Sequence, residues 1–94
     1  MASDPKSVTV LSRRDHDEAM RIAAGLTIFG HQVRLVFMHR PLSESEMASS
    51  HIELLEMCDI EPQTTVSELA GDLVLLDAGR LGEAIAKADM VINI

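Results

Sequence analysis

Apolar positions along the chain change period several times, and each change marks an element. Ser7-Val8-Thr9-Val10-Leu11 is a β-branched run after Pro5 and ahead of the polar Ser12-Arg13-Arg14, which predicts a first strand opening into a loop. Asp15 stands three residues before Glu18, the spacing at which a cap side chain and an N3 carboxylate satisfy free amides reciprocally, so a helix is expected to begin there. Ala19, Ile22, Ala23 and Leu26 then recur at i, i+3, i+4 and i+7, with Phe29 extending the stripe and Gly30 as its stop. Met20, Ala24 and Ile28 add an adjoining apolar row. That face is broad for a helix covering one sheet, and part of it is expected to meet a neighbouring subunit.

Val33 to Met38 is nearly continuous in apolar character, as a strand covered on both faces should be, and it ends at His39-Arg40-Pro41. Ser43 and Glu46 repeat the capping spacing, and Glu44 and Glu46 suit the positive end of a helix dipole. A second helix is expected from there to about Met57, with Met47, Leu54, Leu55 and Cys58 as its stripe and His51 on the same line. Ile60 to Val66 predicts a third strand, placed at an edge or a strand start by Pro62. Leu73 to Leu76 predicts a fourth, too close behind it around Gly71-Asp72 for a helix to intervene. Asp77-Ala78-Gly79 reads as a turn, Leu81, Ala84, Ile85 and Ala88 as a short third helix, and Met90 to Ile94 as a fifth strand.

This alternation predicts one α/β domain over residues 1–94: a three-layer sandwich with helices on both faces of a mostly parallel five-stranded sheet and right-handed crossovers. Ligands in such sheets sit beyond the carboxyl ends of the strands. Those ends carry Ser12-Arg13-Arg14, His39-Arg40, Thr64-Thr65 and Asp77-Ala78-Gly79.

Composition narrows the function. A 94-residue chain buries only about 60 to 70% of its extended surface, which favours association. No apolar run approaches the roughly 20 residues that span a bilayer, so no membrane helix is expected. Eight basic residues against fifteen acidic ones give a net charge of −7, and there are two Phe with no Tyr or Trp, so nucleic acid is a disfavoured partner. Met1 to Lys6 has neither the basic nor the apolar region of a secretory signal, which points to the cytoplasm. The single cysteine, Cys58, excludes an internal disulfide and a multi-cysteine zinc site, and His16, His31, His39 and His51 have no ligand spacing, so neither metal nor cofactor is expected.

Three segments resemble the DsrE/DsrF/DsrH family, which includes the TusB, TusC and TusD sulfur-relay subunits. They are Ala19 to Phe37 with the Gly30-His31 turn, Leu54 to Ile60 at the end of the second helix, and Leu81 to Ile94 with Asp89 before the last strand. The resemblance implies an α/β sandwich with DsrE-like, flavodoxin-like strand order, assembly into trimers or hexamers, and sulfur handled as a cysteine persulfide; for this chain a homo-oligomer, dimer, trimer or hexamer, is expected, with sulfur-relay proteins as candidate partners. Active members of that family hold their cysteine just after the third strand, where this chain has Thr64-Thr65. Cys58 lies several residues earlier, so the family's catalytic residue is not carried over. The implied function is intracellular sulfur relay or sulfur oxidation, with Cys58 as the only available acceptor. The alternative is a non-catalytic assembly or small-anion-binding subunit of the same fold.

Each candidate residue carries two readings. Cys58 is either a sulfur acceptor or a packed apolar residue at a helix end, where Glu56, Asp59 and Glu61 disfavour a thiolate. Arg13 and Arg14, ahead of the first helix, either bind a phosphate, sulfate or thiosulfate-like anion or offset the acidic run Asp15-His16-Asp17-Glu18. His39 and Arg40 either join that site or are solvated loop residues. Thr65, Asp77 and Gly79 complete the ligand-binding set at the strand ends. Gly79-Arg80-Leu81-Gly82 is a fragment of a glycine-rich loop without the third glycine or the phosphate-binding lysine and serine.

Overall fold

The computed structural model describes residues 6–40, 42–66 and 74–94. In chain order these form β1 (Ser7–Ser12), α1 (His16–Ile28), β2 (Gln32–Phe37), α2 (Glu44–Met47), α3 (Ser50–Met57), β3 (Gln63–Thr64), β4 (Val74–Leu75), α4 (Ala78–Lys87) and β5 (Met90–Asn93). The strands join in the order β4-β3-β2-β1-β5 and every pair is parallel. Leu73 and the expected Gly71-Asp72 connection, with Pro5 and Pro41, lie outside the described residues.

The strand order departs from the flavodoxin-like one, in which β1 lies between β2 and β3. Here β2 lies directly beside β3, and β1 sits between β2 and β5. The chain steps from β1 through β2 and β3 to β4 in one direction, with α1 and α3 packed together on one face. It then returns across the other face through α4. Right-handed crossovers produce this division, because steps in opposite directions must use opposite faces.

Two cores result. Val8, Val10, Leu35 and Phe37 meet Ala19, Met20 and Ala23 of α1 and Leu55 of α3 on one face. Leu11, Val36 and Leu76 form a smaller cluster on the other, with Leu81 of α4 against it. Because β1 is paired on both sides and covered on both faces, Val8 through Ser12 are all buried. The second apolar row of α1 is used within the chain: Met20 and Ala24 are buried, and only Ile28 faces outward. Phe29 does not extend the stripe, because it is the C-cap residue, 83% exposed, where the helix turns off. His31 N donates to Leu26 O and Gly30 N to Thr27 O, the paired bonds of a Schellman ending, with Gly30 at φ 92°.

Other boundaries shift for identifiable reasons. The expected second helix is two, because Ser49 leaves helical geometry (φ −66°, ψ 141°) and caps α3 by accepting from His51 N. The third strand shrinks to Gln63–Thr64: Ile60 is drawn into the ending of α3, its N–H donating to Leu55 O, and Pro62 has no N–H for a ladder. The Asp77-Ala78-Gly79 turn is instead the start of α4, with Asp77 as N-cap accepting from Arg80 N at 2.8 Å. Asp15 caps α1 as expected, accepting from Glu18 N at 3.0 Å, but the Glu18 carboxylate turns to Arg21 and does not close the reciprocal box.

Candidate functional site

The carboxyl ends of β1 and β2 bring Arg13, Arg14, His39 and Arg40 together, and the group is built around two residues outside the expected set, His16 and Glu46. Ser43 and Glu46 form a complete capping box, with Glu46 N donating to Ser43 Oγ (3.2 Å) and Ser43 N to Glu46 Oε1 (2.8 Å). The same carboxylate reaches the start of α1, where Oε2 accepts from His16 N (3.1 Å). Arg40 grips both its oxygens, at 2.7 and 2.9 Å, and donates to Arg14 O at 2.7 Å. The Arg40 guanidinium, with help from Ser43, holds the Glu46 carboxyl far below the usual carboxylate range despite its burial. An anion expected at the amino end of α1 is thus supplied by the protein itself.

His16 has no exposed surface. Its Nε2 lies 2.9 Å from Arg40 O, which can only accept, so Nε2 carries the proton and, in the neutral ring, Nδ1 accepts from the Ser12 hydroxyl. The ring meets Phe37 edge to face with centroids 4.9 Å apart. A serine–histidine contact is the beginning of a nucleophilic pair. Here both residues are buried, and the contact ties the end of β1 to α1 and to the loop after β2.

Arg13 N and Arg14 N both donate to Ile94 O (2.8 and 2.9 Å), and Arg13 Nε donates to Asn93 Oδ1 (2.8 Å), closing the crevice between β1 and β5. His39 Nε2 lies 3.4 Å from Arg13, on a residue held at φ 71°. The remaining expected ligands do not join them. Thr65 is fixed through its N–H to Phe37 O (3.1 Å), and Asp77 and Gly79 belong to the N-cap and first turn of α4, where the Asp77 carboxylate already takes the Arg80 amide. Among the described residues no hydrogen bond or ion pair links these three to the arginine group.

Cys58 is the C-cap of α3 and half-buried, its thiol directed at Ala24 O at 3.8 Å. At the other end of the α1–α3 contact, Asp17 accepts from Ser49 Oγ and lies 2.9 Å from His51 Nδ1. The Ser49 hydroxyl and then His51 hold the Asp17 carboxyl below its ordinary range. Among the described residues no group of three or more His, Cys, Asp and Glu converges on a metal position, and no helix is long and apolar enough to cross a membrane.

Sequence reasoning finds the cations at the strand ends but not their partner, because Glu46 reads as a local cap and its contact with His16 joins residues 30 apart. It also passes over Arg34, a charge within the apolar run Val33 to Phe37 whose exposure marks the sheet face as open at that point. A scan of protein-family models, a search of curated proteins and a search of solved structures each return no match to the chain.

Proposed function

We propose that this chain is a non-catalytic, self-associating subunit of a DsrE/DsrF-like sulfur-relay assembly in the cytoplasm. One observation carries the reading: large apolar side chains stand bare at the shared carboxyl-terminal end of α1 and α3, with Ile28 72%, Phe29 83% and Met57 80% exposed. Scattered apolar residues are ordinary on a surface, but three of this size at one end of a small domain suit a partner. The resemblance supplies the family and closed symmetry supplies the form, a homo-oligomer. The filled strand ends agree with a subunit that holds no substrate there. Light scattering across micromolar concentrations should give a dimer, trimer or hexamer. Replacing Ile28, Phe29 and Met57 together by serine should release folded monomer, whereas a stable monomer of the parent chain overturns the proposal.

Cys58 supports a second reading, because its half-buried thiol lies next to Met57 at the rim of that apolar end. In this reading a docked donor persulfide gives up its outer sulfur to the Cys58 thiolate. The new S–S bond takes its electron pair from Cys58, the donor S–S bond breaks, and the donor leaves as a thiolate. Mass spectrometry after incubation with a persulfide donor should find one added sulfur atom on Cys58, lost in Cys58→Ser. An unmodified thiol ends the carrier reading and leaves the assembly reading standing.

A further inference from the structure

Three cations that the strand-end site does not use, Arg34, Arg80 and Lys87, gather on the α4 side of the sheet. An open groove of about 250 Å³ runs between α4 and the β2–β3 face. Arg34 enters it from β2 and Gln63 from β3, joined by a 3.3 Å hydrogen bond, while Arg80, Glu83 and Lys87 line the opposite wall from α4. Positions 80, 83 and 87 share one helical face, so these three side chains border the groove together. Leu76, buried, provides an apolar floor.

Charge makes the cluster unusual. The chain has eight basic residues against fifteen acidic ones, yet three of the eight border this groove, with Glu83 the only carboxylate opposing them among the described residues. Arg21 is paired with Glu18 and Arg40 with Glu46. Among the described residues Arg34, Arg80 and Lys87 make no ion pair, and the Arg34 bond to Gln63 leaves its charge uncompensated. Like charges held together repel, and a bound anion relieves that repulsion. Three cations and one carboxylate leave two positive charges, which a dianion matches.

We propose that this groove binds a small hydroxylated phosphate monoester. The two guanidinium groups offer paired donors to phosphate oxygens and the lysine adds a point charge. Glu83 accepts from a hydroxyl of the ester's organic part, which rests on Leu76. The volume is below the usual range for drug-sized ligands and admits only a few carbons beyond the phosphate. The proposal is independent of the assembly reading, since the groove and the Ile28–Phe29–Met57 end use different residues.

The test is a titration of the full chain with glycerol 3-phosphate at constant ionic strength, followed by backbone-amide NMR. Saturable shifts are expected at Arg34, Gln63, Leu76 and residues 80–87, with inorganic phosphate binding more weakly. Arg80→Ala with Lys87→Ala should weaken binding at least about tenfold, and alanine at exposed helix positions keeps α4 intact. Glu83→Gln distinguishes the two parts of the site: it should tighten inorganic phosphate about threefold while removing the preference for the ester. Shifts centred on residues 13–14 and 39–40, unchanged affinity in the double variant, or no saturation at millimolar ligand would each overturn the site. Equal binding of inorganic phosphate and the ester by the parent chain overturns the assignment to a hydroxylated monoester.

Discussion

Glu46 accepts four hydrogen bonds, from His16 N, Ser43 N and two Arg40 nitrogens. Removing its charge leaves the Arg40 guanidinium and the first amide of α1 without a matched acceptor, so Glu46→Gln should cost about 2 kcal/mol at neutral pH. The sign of the pH dependence follows from the depressed carboxyl. Stability from Glu46 is fully present above the unfolded value, about 4.3, and is lost as pH falls toward the lower folded value, so parent and variant should converge in acid. With no Trp or Tyr in the chain, urea titrations read by far-ultraviolet circular dichroism at several pH values provide the measurement. Asp59 makes a prediction of opposite sign. It follows the C-cap of α3 at φ 56°, a left-handed conformation that glycine adopts without steric penalty. Asp59→Gly should therefore raise the urea midpoint, by up to about 1 kcal/mol of stability.

At the scale of elements, the break between α2 and α3 rests on Ser49, whose side chain accepts from His51 N and donates to Asp17 of α1. Ser49→Ala should cost about 1 kcal/mol through the lost cap. It should also let the Asp17 carboxyl titrate nearer its ordinary value, which NMR titration reads directly. The break also shows where pattern reading stops. Periodicity carries β1, α1 and β2 because their apolar positions are frequent and their ends are marked by Asp15 and Gly30. Across Ala48-Ser49 the helical stripe continues on paper, since Met47, His51, Leu54 and Leu55 keep the spacing, while Ser49 restarts the chain by capping His51 N and donating to Asp17 of α1. Ile60 misleads in the same way: it is apolar and next to a strand, yet its burial serves the ending of α3. For the candidate site, strand ends place Arg13, Arg14, His39 and Arg40 together, but nothing local in the sequence says that Glu46 already neutralises part of the group.

For the molecule as a whole, burial patterns distinguish inner from outer positions without fixing strand order, because β1 needs two neighbours of any identity to be covered. The observed order has an energetic consequence through the return of the chain across the sheet. Among the described residues a single helix, α4, covers the face where Leu11, Val36 and Leu76 are the buried cluster, against nine buried residues in the cluster beneath α1 and α3. Local opening follows the number of buried apolar groups that must be exposed, so the domain should unfold in two steps of unequal cost. Native-state hydrogen exchange should find the amides of Ala84 and Ile85 opening at lower free energy than those of Val10 and Leu35. Equal protection throughout would mean that α4 opens only with the rest of the chain. In the unequal case the helix can lift while the β1–β2 centre stays intact, and the half of the protein that first meets proteases or solvent is the half that carries the Arg34–Arg80–Lys87 groove.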